Sequence, residues 1–464
     1  MPSTPSSPAS SATSVPAAKR VATPAATAVA ATVATVAAVA TAAIAAAAVA
    51  TADPSSVPDL AVTRLDSGLT VATEVVPGAL SVAAGVWVAV GSRDEPERLS
   101  GVSHFLEHLL FKGTERRTAQ EISRSVDARG GDFNAFTSRE YTAYYCRLPA
   151  RHAEFCIDLL GDVLTAPALR DADVLGERQV ILEELAMDDD VPDEVAHREF
   201  ARRLFEGHAL GRDPAGDREH VVAITPDDVR SFFDAHYRAE TMVVSLAGPV
   251  GHDEMLGYVE RAFAAVRAGG GRPLRTAPGP VGEPLSIDDD TEQVHIVMGG
   301  RALPRCDDRR EALDVVNHVL GGGLSSRLFE EIRERRGLAY SVYSGVTAFD
   351  DAGVFQLYAG TQPEHADEVE ALMRAELERL GSGGVTDDEL EIAKGYLTGA
   401  FEMGLEDTGA RAARAGGLLV TTGEVRSVDD QLARWSAVDH DAVADVIDAV
   451  LQQAPLVVRL GPQD

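Results

Sequence analysis

A segment that occurs in two similar copies along the chain constrains the fold more than any other feature of the sequence. In the first copy, a strand pattern leads through residues 91–93 to residues 102–108, which read Val-Ser-His-Phe-Leu-Glu-His. In the second copy, a strand pattern leads through residues 300–301 to residues 316–322, which read Val-Asn-His-Val-Leu-Gly-Gly. Such repetition predicts one structural unit built twice, with the Glu-His pair lost from the second. A chance similarity between two segments of mixed structure is the alternative.

Helix and strand periodicities alternate through both halves, which indicates an α+β fold. Strand patterns cover residues 60–90, 132–148 (two strands joined near Ser138) and 293–298, and helical patterns cover residues 104–111, 119–128, 152–165 and 173–187. We expect two homologous halves, each a sandwich of helices and an antiparallel or mixed sheet. Residues 267–284 are rich in Gly and Pro and lack periodicity, which predicts a linker between a first domain, 59–266, and a second, 285–464.

The first 58 residues differ from the rest in composition. They are almost entirely Ala, Thr, Val, Ser and Pro, and no charge occurs between residues 25 and 52. Lys19 and Arg20 precede this tract and Ala-Thr-Ala ends it, which suits export or membrane anchoring through residues 19–52. The tract lacks Leu and Phe, however, so a stable membrane span is marginal. We expect a low-complexity leader, residues 1–58, on a cytoplasmic protein, with export or anchoring as the alternative.

The net charge limits the classes of partner that the protein can bind, and the cysteines indicate the redox state of its compartment. The formal net charge is −31, which disfavours nucleic acid and anionic lipid because their phosphates would be repelled. Basic peptides match this charge better, although a spread of surface carboxylates also serves solubility alone. Cys146, Cys156 and Cys306 have neither disulfide-framework nor metal-site spacing and favour a reducing compartment.

One short helical segment, residues 103–113, carries the residues that point to chemistry. His104, Glu107 and His108 fall at i, i+3 and i+4 and therefore share one helix face. Imidazole is a preferred ligand of Zn²⁺, which in catalytic sites binds three protein groups and keeps one position open. Glu107 lies next to His108 and one turn from His104, so it can take a proton from a water there. Burying these three groups without a metal or other partners would be costly, so we predict a zinc site.

The H-x-x-E-H pattern is the inverzincin signature, and with residues 111–114 it resembles the pitrilysin and insulinase family, especially its processing-peptidase branch. The resemblance implies one Zn²⁺ per chain and a third ligand from a glutamate on a later helix. Residues 177–184 match that helix, which assigns Glu184 as the ligand; the residues alone do not separate it from Glu183. The resemblance gives Glu177, two turns earlier, the role of orienting ligands or a proton. A solvated helix charge is the alternative for Glu177.

Two further elements take their roles from the resemblance. Asn134, Ala135 and Phe136 match an edge strand that pairs with the peptide backbone and so accepts varied sequences. An ordinary hairpin is the alternative. Arg333 and Tyr340 match a pair that reaches the scissile bond from the second domain and would stabilise negative charge on its carbonyl oxygen. An exposed helix arginine and a strand tyrosine in the core are the alternative. The glycines at residues 321–323 lack the P-loop order, which argues against nucleotide binding.

The expected function is that of a zinc metalloendopeptidase acting on short or unfolded peptides or presequences inside an enclosed chamber. The family precedent implies a homodimer closing like a clamshell, with the zinc half of one subunit facing the second half of the other. A heterodimer with a related subunit is the alternative. The rival functions are a non-catalytic core subunit of a processing-peptidase-like complex, and a metal- or partner-binding module without turnover.

Overall fold

The computed structural model of the protein describes residues 60–451 and 454–463. The predicted leader, residues 1–58, lies outside this part of the chain. Two sheets with helices packed on them make up the described residues, so the predicted α+β fold is confirmed. No helix in the described ranges is both long and apolar enough to cross a bilayer.

The first half contains the larger sheet. Its strands are β1 (Leu60–Arg64), β2 (Thr70–Val75), β3 (Ser81–Val88), β4 (Asp132–Thr137), β5 (Thr142–Pro149) and β6 (Met242–Gly248). Its helices are α1 (Val102–Leu110), α2 (Ala119–Asp127), α3 (Ala153–Thr165), α4 (Asp171–Asp189), α5 (Pro192–Leu204), α6 (Arg218–Ala223), α7 (Pro226–His236) and α8 (His252–Ala262). The bounds of β1 to β5 and of α1 to α4 agree with the predicted periodicities to within a few residues, whereas β6 and α5 to α8 were not predicted.

The second half begins after residues 263–284, which form no helix or strand and include the predicted linker. Its strands are β7 (Leu285–Asp288), β8 (Val294–Ala302), β9 (Ala339–Ala348), β10 (Gly353–Thr361) and β11 (Leu456–Gly461). Its helices are α9 (Arg310–Asn317), α10 (Ala366–Gly383), α11 (Asp387–Gly404), α12 (Thr408–Thr421), α13 (Val428–Ala437) and α14 (His440–Leu451). A π-helical turn, His318–Gly322, follows α9 directly.

The strand orders of the two sheets reveal the duplication. The first sheet has the order β1-β2-β6-β3-β5-β4, and the second has β7-β11-β8-β10-β9. Without β1, each sheet places its five strands in the chain order first, fifth, second, fourth, third. The first and fifth strands are parallel in both sheets, and the other neighbours are antiparallel. One five-stranded unit has therefore been built twice.

One helix of each half packs on the sheet of the other half. Helix α5 of the first half packs on the second sheet, where Phe200 and Leu204 join a core with Val297 and Val458. In the reverse direction, α12 packs on the first sheet. A fully buried Phe or Leu side chain stabilises the fold by ~1.5–3 kcal/mol. The exchange therefore buries apolar side chains of each half against the sheet of the other.

The contact of α12 with the first sheet requires a glycine. A Cβ atom at Gly416 would lie 2.1 Å from Cε3 of Trp87 on β3, much closer than any real contact. Trp87 is 3% exposed and packs with Ala412, Ala415 and Leu419 of α12. The indole therefore occupies the space that a side chain at residue 416 would need.

A buried ion network also joins the halves. Glu140, in the turn between β4 and β5, accepts hydrogen bonds from Arg93 Nη1 at 2.7 Å and from Arg305 Nη2 at 2.5 Å. The backbone N–H of Asp350 donates to the same carboxylate at 3.0 Å. The Glu140 and Arg93 side chains are each 2% exposed. Arg305 and Asp350 belong to the second half, so the network anchors the β4–β5 turn to the other sheet.

Candidate metal centre

Helix α1 begins at a carboxylate cap. Gly101, at φ +93°, precedes the helix, and Glu95 accepts the N–H groups of Gly101 and Ser103 at 2.8 and 2.7 Å. The first N–H groups of a helix have no partner within it, so a carboxylate there stabilises the helix start. Burial raises the pKa of Glu95 to about 8, while these two hydrogen bonds oppose the shift. The cap fixes the register in which α1 presents His104.

Three predicted ligand residues converge at one point. His104 and His108 lie one turn apart on α1, and their Nε2 atoms are 3.2 Å apart. Glu184 reaches them from α4, with Oε2 at 3.5 Å from His108 Nε2 and 3.8 Å from His104 Nε2. The ligand atoms of a tetrahedral zinc ion stand about 3.3–3.6 Å apart, given bonds of ~2.0–2.2 Å. Within the described ranges, this is the one group of His, Cys, Asp and Glu residues spaced for a metal.

Unsatisfied atoms also support the fit to a cation. The Glu184 Oε2 atom is buried and has no hydrogen-bond partner among the described residues. A buried carboxylate oxygen without a partner is unfavourable unless something positive binds it. Burial raises the pKa of Glu184, against the attraction of His108. The residues therefore suit a divalent cation such as Zn²⁺, held by two imidazole nitrogens and one carboxylate oxygen.

The two imidazoles differ in environment. Burial, together with His108, lowers the pKa of His104 to about 3, so this ring is neutral and offers a lone pair. Burial also acts to lower the pKa of His108, but the hydrogen bond to Glu177 and the charge of Glu184 outweigh it and leave that pKa raised. Of the two rings, His108 is therefore the one whose surroundings favour the protonated form.

Glu177 orients His108 from the far side. Its Oε1 accepts the Nδ1–H of His108 at 3.0 Å, and its Oε2 contacts the Lys112 ammonium. Burial acts to raise the pKa of Glu177, but the hydrogen bonds from His108 and Lys112 outweigh it and the pKa is lowered. An ionised partner on Nδ1 fixes the tautomer whose Nε2 lone pair faces the metal. Glu177 thus lies where an orienting group is needed.

Glu107 lies on the same face of α1 as both histidines but is not one of the three converging groups. It is 9% exposed, and its Oε2 accepts a hydrogen bond from the hydroxyl of Thr137 at 2.5 Å. Burial raises the pKa of Glu107 to about 7, while Thr137 and His108 act against the shift. A carboxyl group with such a pKa can take up and release a proton near neutrality.

The predicted substrate strand lies beside this helix. Asn134, Ala135 and Phe136 belong to β4, which is at the end of the first sheet and pairs only with β5 among the described strands. Helix α1 packs against β4, and the rings of Phe111 and Phe133 lie 4.8 Å apart. Among the described strands, the free edge of β4 therefore lies next to the candidate metal centre.

Arg333 and Tyr340 lie together, but apart from the metal centre. The Arg333 guanidinium donates to the Tyr340 carbonyl oxygen at 2.9 Å and stacks 4.4 Å from the centre of its ring. The Tyr340 side chain is exposed, at 79%. Within the described part of the chain, no hydrogen bond, ion pair or ring contact joins either residue to His104, Glu107 or their neighbours in the site.

In the second copy of the motif, the positions of four site residues hold glycine or alanine. His318 corresponds to His104, but its ring stacks on Tyr396 at 4.2 Å and the next turn ends in glycines. Counted from the first residues of α4 and α11, the positions of Glu177 and Glu184 hold Ala393 and Ala400. The second half therefore keeps the backbone plan without its ligands.

Three residues of the site were not assigned from the sequence: Glu95, Lys112 and Thr137. Lys112 follows His108 by one helical turn, and Thr137 follows Ala135 on the same face of β4, so spacing alone could have suggested both. Glu95 had no such signal, because the cap depends on a loop bringing it back to Gly101.

The fold and the site together define a class of two-sheet α+β proteins that carry an H-x-x-E-H metal centre in the first half. Residues 70–218 match the family model described as insulinase (peptidase family M16). Residues 223–397 match the model described as the peptidase M16 inactive domain. These models divide the chain before β6, although β6 pairs with strands of the first sheet.

Individual relatives agree with the family models. An uncharacterized zinc protease of Streptomyces coelicolor is 43% identical over 408 residues, which cover 86% of this chain and 89% of the relative. An uncharacterized zinc protease of Mycobacterium tuberculosis is 40% identical, with 89% of this chain and 95% of the relative covered. The crystal structure of a protease from Helicobacter pylori has a TM-score of 0.81 at 24% identity and covers 87% of this chain and 100% of that one. The protein belongs to the insulinase family of peptidases, M16.

Proposed function

We propose that the protein is a zinc metalloendopeptidase that hydrolyses peptide bonds of short or unfolded peptides or presequences inside an enclosed chamber. The observation that carries this proposal is the convergence of His104, His108 and Glu184, with Glu107 on the same helix face. The relatives named zinc proteases give additional support for zinc.

The chain's own residues account for the proton transfers. When bound by the three ligands, Zn²⁺ supplies a Lewis acid that polarises the substrate carbonyl and lowers the pKa of a water. Glu107 takes the proton of the attacking water and then gives it to the leaving amine. The carboxyl group must exchange a proton twice in each turnover, and Glu107 lies on the helix face that also carries both histidines. Glu177 keeps His108 in the tautomer that leaves Nε2 free.

The edge of β4 is the proposed binding site for the peptide backbone. A peptide added as a strand would hydrogen-bond along Asn134, Ala135 and Phe136, which supplies affinity independent of the peptide's sequence. Helix α1 packs on this strand, so the scissile bond of such a peptide would lie close to Glu107.

Acidic residues near the end of α4 support a preference for basic peptides. Asp188, Asp189, Asp193 and Glu194 follow Glu184 along the chain. Burial and the neighbouring carboxylates raise the pKa of Asp188 and of Glu194. A cationic side chain would relieve this repulsion. Cleavage rates of matched acidic and basic peptides at low salt test the preference, and equal rates would dismiss it.

A second copy of the chain is the proposed source of Arg333 and Tyr340 at the site. These two residues lie apart from the metal centre within one chain, and Tyr340 is exposed. In a homodimer, the second half of one subunit would present them to the zinc half of the other, where they would stabilise charge on the substrate carbonyl oxygen. A heterodimer with a related subunit would use the same surfaces.

The first experiment compares wild type with Glu107→Gln on a quenched fluorescent peptide library, with zinc content measured on the same samples. We expect cleavage by the wild type and its loss in the variant at unchanged zinc content. No cleavage by a wild type that holds stoichiometric zinc would favour the rival function, a non-catalytic core subunit. A wild type without zinc would overturn the assignment of the metal centre.

Mixing two inactive variants tests the shared site. Glu107→Gln and Arg333→Ala homodimers would each lack one part, but a mixed dimer would contain one complete site. Random exchange of subunits should then restore about a quarter of the wild-type sites. Glu107→Gln mixed with His108→Ala is the matched control and should restore none, because both changes lie in the same half. A monomeric mass by light scattering would contradict the dimer.

A further inference from the structure

Thr137 is the residue that holds the carboxylate of Glu107. Its hydroxyl donates to Glu107 Oε2 at 2.5 Å across the gap between the last residue of β4 and helix α1. Glu107 shows no other side-chain hydrogen bond within the described residues. One oxygen of the carboxylate is therefore occupied by a neutral donor, and the other is left for a water.

The placement of Thr137 follows from the pleat of β4. Side chains alternate between the two faces of a strand, so Phe133, Ala135 and Thr137 share one face. Ala135 and Phe133 pack into the core under α1, and Phe136 faces the other side, where it packs near Ala143 and Tyr141. Thr137 is thus directed at the helix that carries Glu107 by the same alternation that buries Ala135.

The backbone at this point is held on several sides. Thr137 pairs with Thr142 of β5, and the next residue, Ser138, accepts a hydrogen bond from the N–H of Ser92 at 3.1 Å. Glu140, three residues after Thr137, is the centre of the buried ion network with Arg93. The backbone that carries the Thr137 hydroxyl is therefore held in place at the end of β4. Its hydrogen bond can then fix the rotamer of Glu107.

We propose that Thr137 is a positioning residue for the hydrolytic reaction, which orients the general base by binding one of its carboxylate oxygens. The inference rests on the proposed peptidase function. A base that must reach a water in one defined place loses rate when its side chain is free to rotate. Because β4 is also the proposed docking strand, the same hydroxyl links the edge that receives the peptide to the group that takes the proton.

Thr137→Val and Thr137→Ser form a matched pair for the test. Valine keeps the β-branched shape and removes the hydroxyl, whereas serine keeps the hydroxyl and removes the methyl group. We expect Thr137→Val to lower kcat by about 10- to 100-fold with KM within twofold of wild type. Thr137→Ser should restore most of kcat. Zinc content of both variants should equal that of wild type, because the hydroxyl of Thr137 binds Glu107, which is not one of the three ligand residues.

A double variant shows whether Thr137 acts through Glu107. In the Glu107→Gln background, Thr137→Val should lower the residual rate no further, since the base it positions is already absent. An equal loss in valine and serine variants would show that only packing matters and would overturn the inference. An active wild type with an equally active Thr137→Val variant would overturn the inference alone. A wild type that holds zinc and cleaves no peptide would overturn the proposed function and this inference together.

Discussion

The two halves of this protein share a sheet plan and differ in chemistry. In the first half, α1 continues as an unbroken helix through His108 and delivers two imidazoles and a carboxylate to one face. In the second half, the corresponding helix ends at Asn317 and passes into a π-helical turn that ends in glycines. Strand order and pairing therefore survive changes that remove a site, because the site depends on a few side chains while the sheet depends on the whole apolar pattern.

The comparison also shows what the second half retains. Its edge strand, β9, corresponds to β4, and it carries Tyr340 near its start. It also covers the first sheet with α12, as α5 covers the second. The half without ligands therefore contributes to the stability of the half with them.

The largest effect is expected from making the first half resemble the second at one position. Glu184→Ala places in α4 the residue that α11 has at Ala400. Removing a ligand should weaken zinc binding by more than the ~100-fold that loss of an outer hydrogen-bond partner causes, and cleavage should disappear with it. Zinc content by mass spectrometry and peptide cleavage are the measurements. His318→Ala is the control and should change neither; zinc lost from that variant would mean that the second copy still binds metal.

A large effect on stability is expected where the two halves meet. Glu140→Gln removes the buried carboxylate that Arg93 and Arg305 share and leaves them only the partly exposed Asp351 and Asp350 as counterions. This change should destabilise the protein by about 3 kcal/mol, the lower end of the range for a broken buried ion pair. Denaturant unfolding followed by circular dichroism measures this change. Glu154→Gln removes an ion pair in which both side chains are more than half exposed, with Arg261, and should alter stability by less than about 1 kcal/mol. Similar losses in both variants would contradict the role of the buried network.

A smaller effect on the metal is expected at Glu177, the position that holds Ala393 in the second half. Glu177→Gln removes the charge behind His108 and should weaken zinc binding about 10- to 100-fold. Competition with a chromophoric chelator gives the affinity. Glu183→Gln is a control on the same helix, since Glu183 contacts Gln179 and not the histidines. A greater loss in the Glu183 variant would reverse the choice of Glu184 as ligand.

The smallest effect, on stability, is expected in α12, the helix of the second half that packs on the first sheet. Gly416→Ala places a methyl group against Trp87 and should destabilise the protein by about 1–3 kcal/mol. Gly417→Ala, one residue on, meets no atom within 4 Å and should be neutral or stabilising by up to ~1 kcal/mol because alanine favours helix. The difference between their thermal midpoints tests how closely α12 approaches β3; equal midpoints would contradict the packing.

Much of this fold could be predicted from periodicity. The apolar pattern of β3 and the helical spacing of α3 and α4 are local signals that determine these elements. Their bounds are therefore predicted to within a few residues. The exchange of α5 and α12 between the sheets could not be predicted. Both are amphipathic segments that need an apolar partner surface, and nothing in their spacing says which sheet supplies it.

Part of the candidate site could likewise be predicted from the sequence, and part depends on tertiary packing. His104, Glu107 and His108 lie within five residues on one helix, so their common face follows from helical geometry alone. The family pattern suggested Glu184, and the distances between its Oε2 and the imidazole nitrogens are a property of the packing of α4 on α1. The hydrogen bond from Thr137 to Glu107 joins a strand to a helix across the sheet face, and only the packed structure places them together.

The amino-acid sequence by itself determined the repeat, the α+β class and the residue types of the metal centre, because each is a pattern along neighbouring residues. The tertiary structure decided which carboxylate oxygen reaches which imidazole and how Glu140 joins the halves. It also decided that, among the described residues, Arg333 and Tyr340 contact each other and not the centre. These are relations between residues distant in sequence, and their distances depend on how whole elements pack rather than on any local preference.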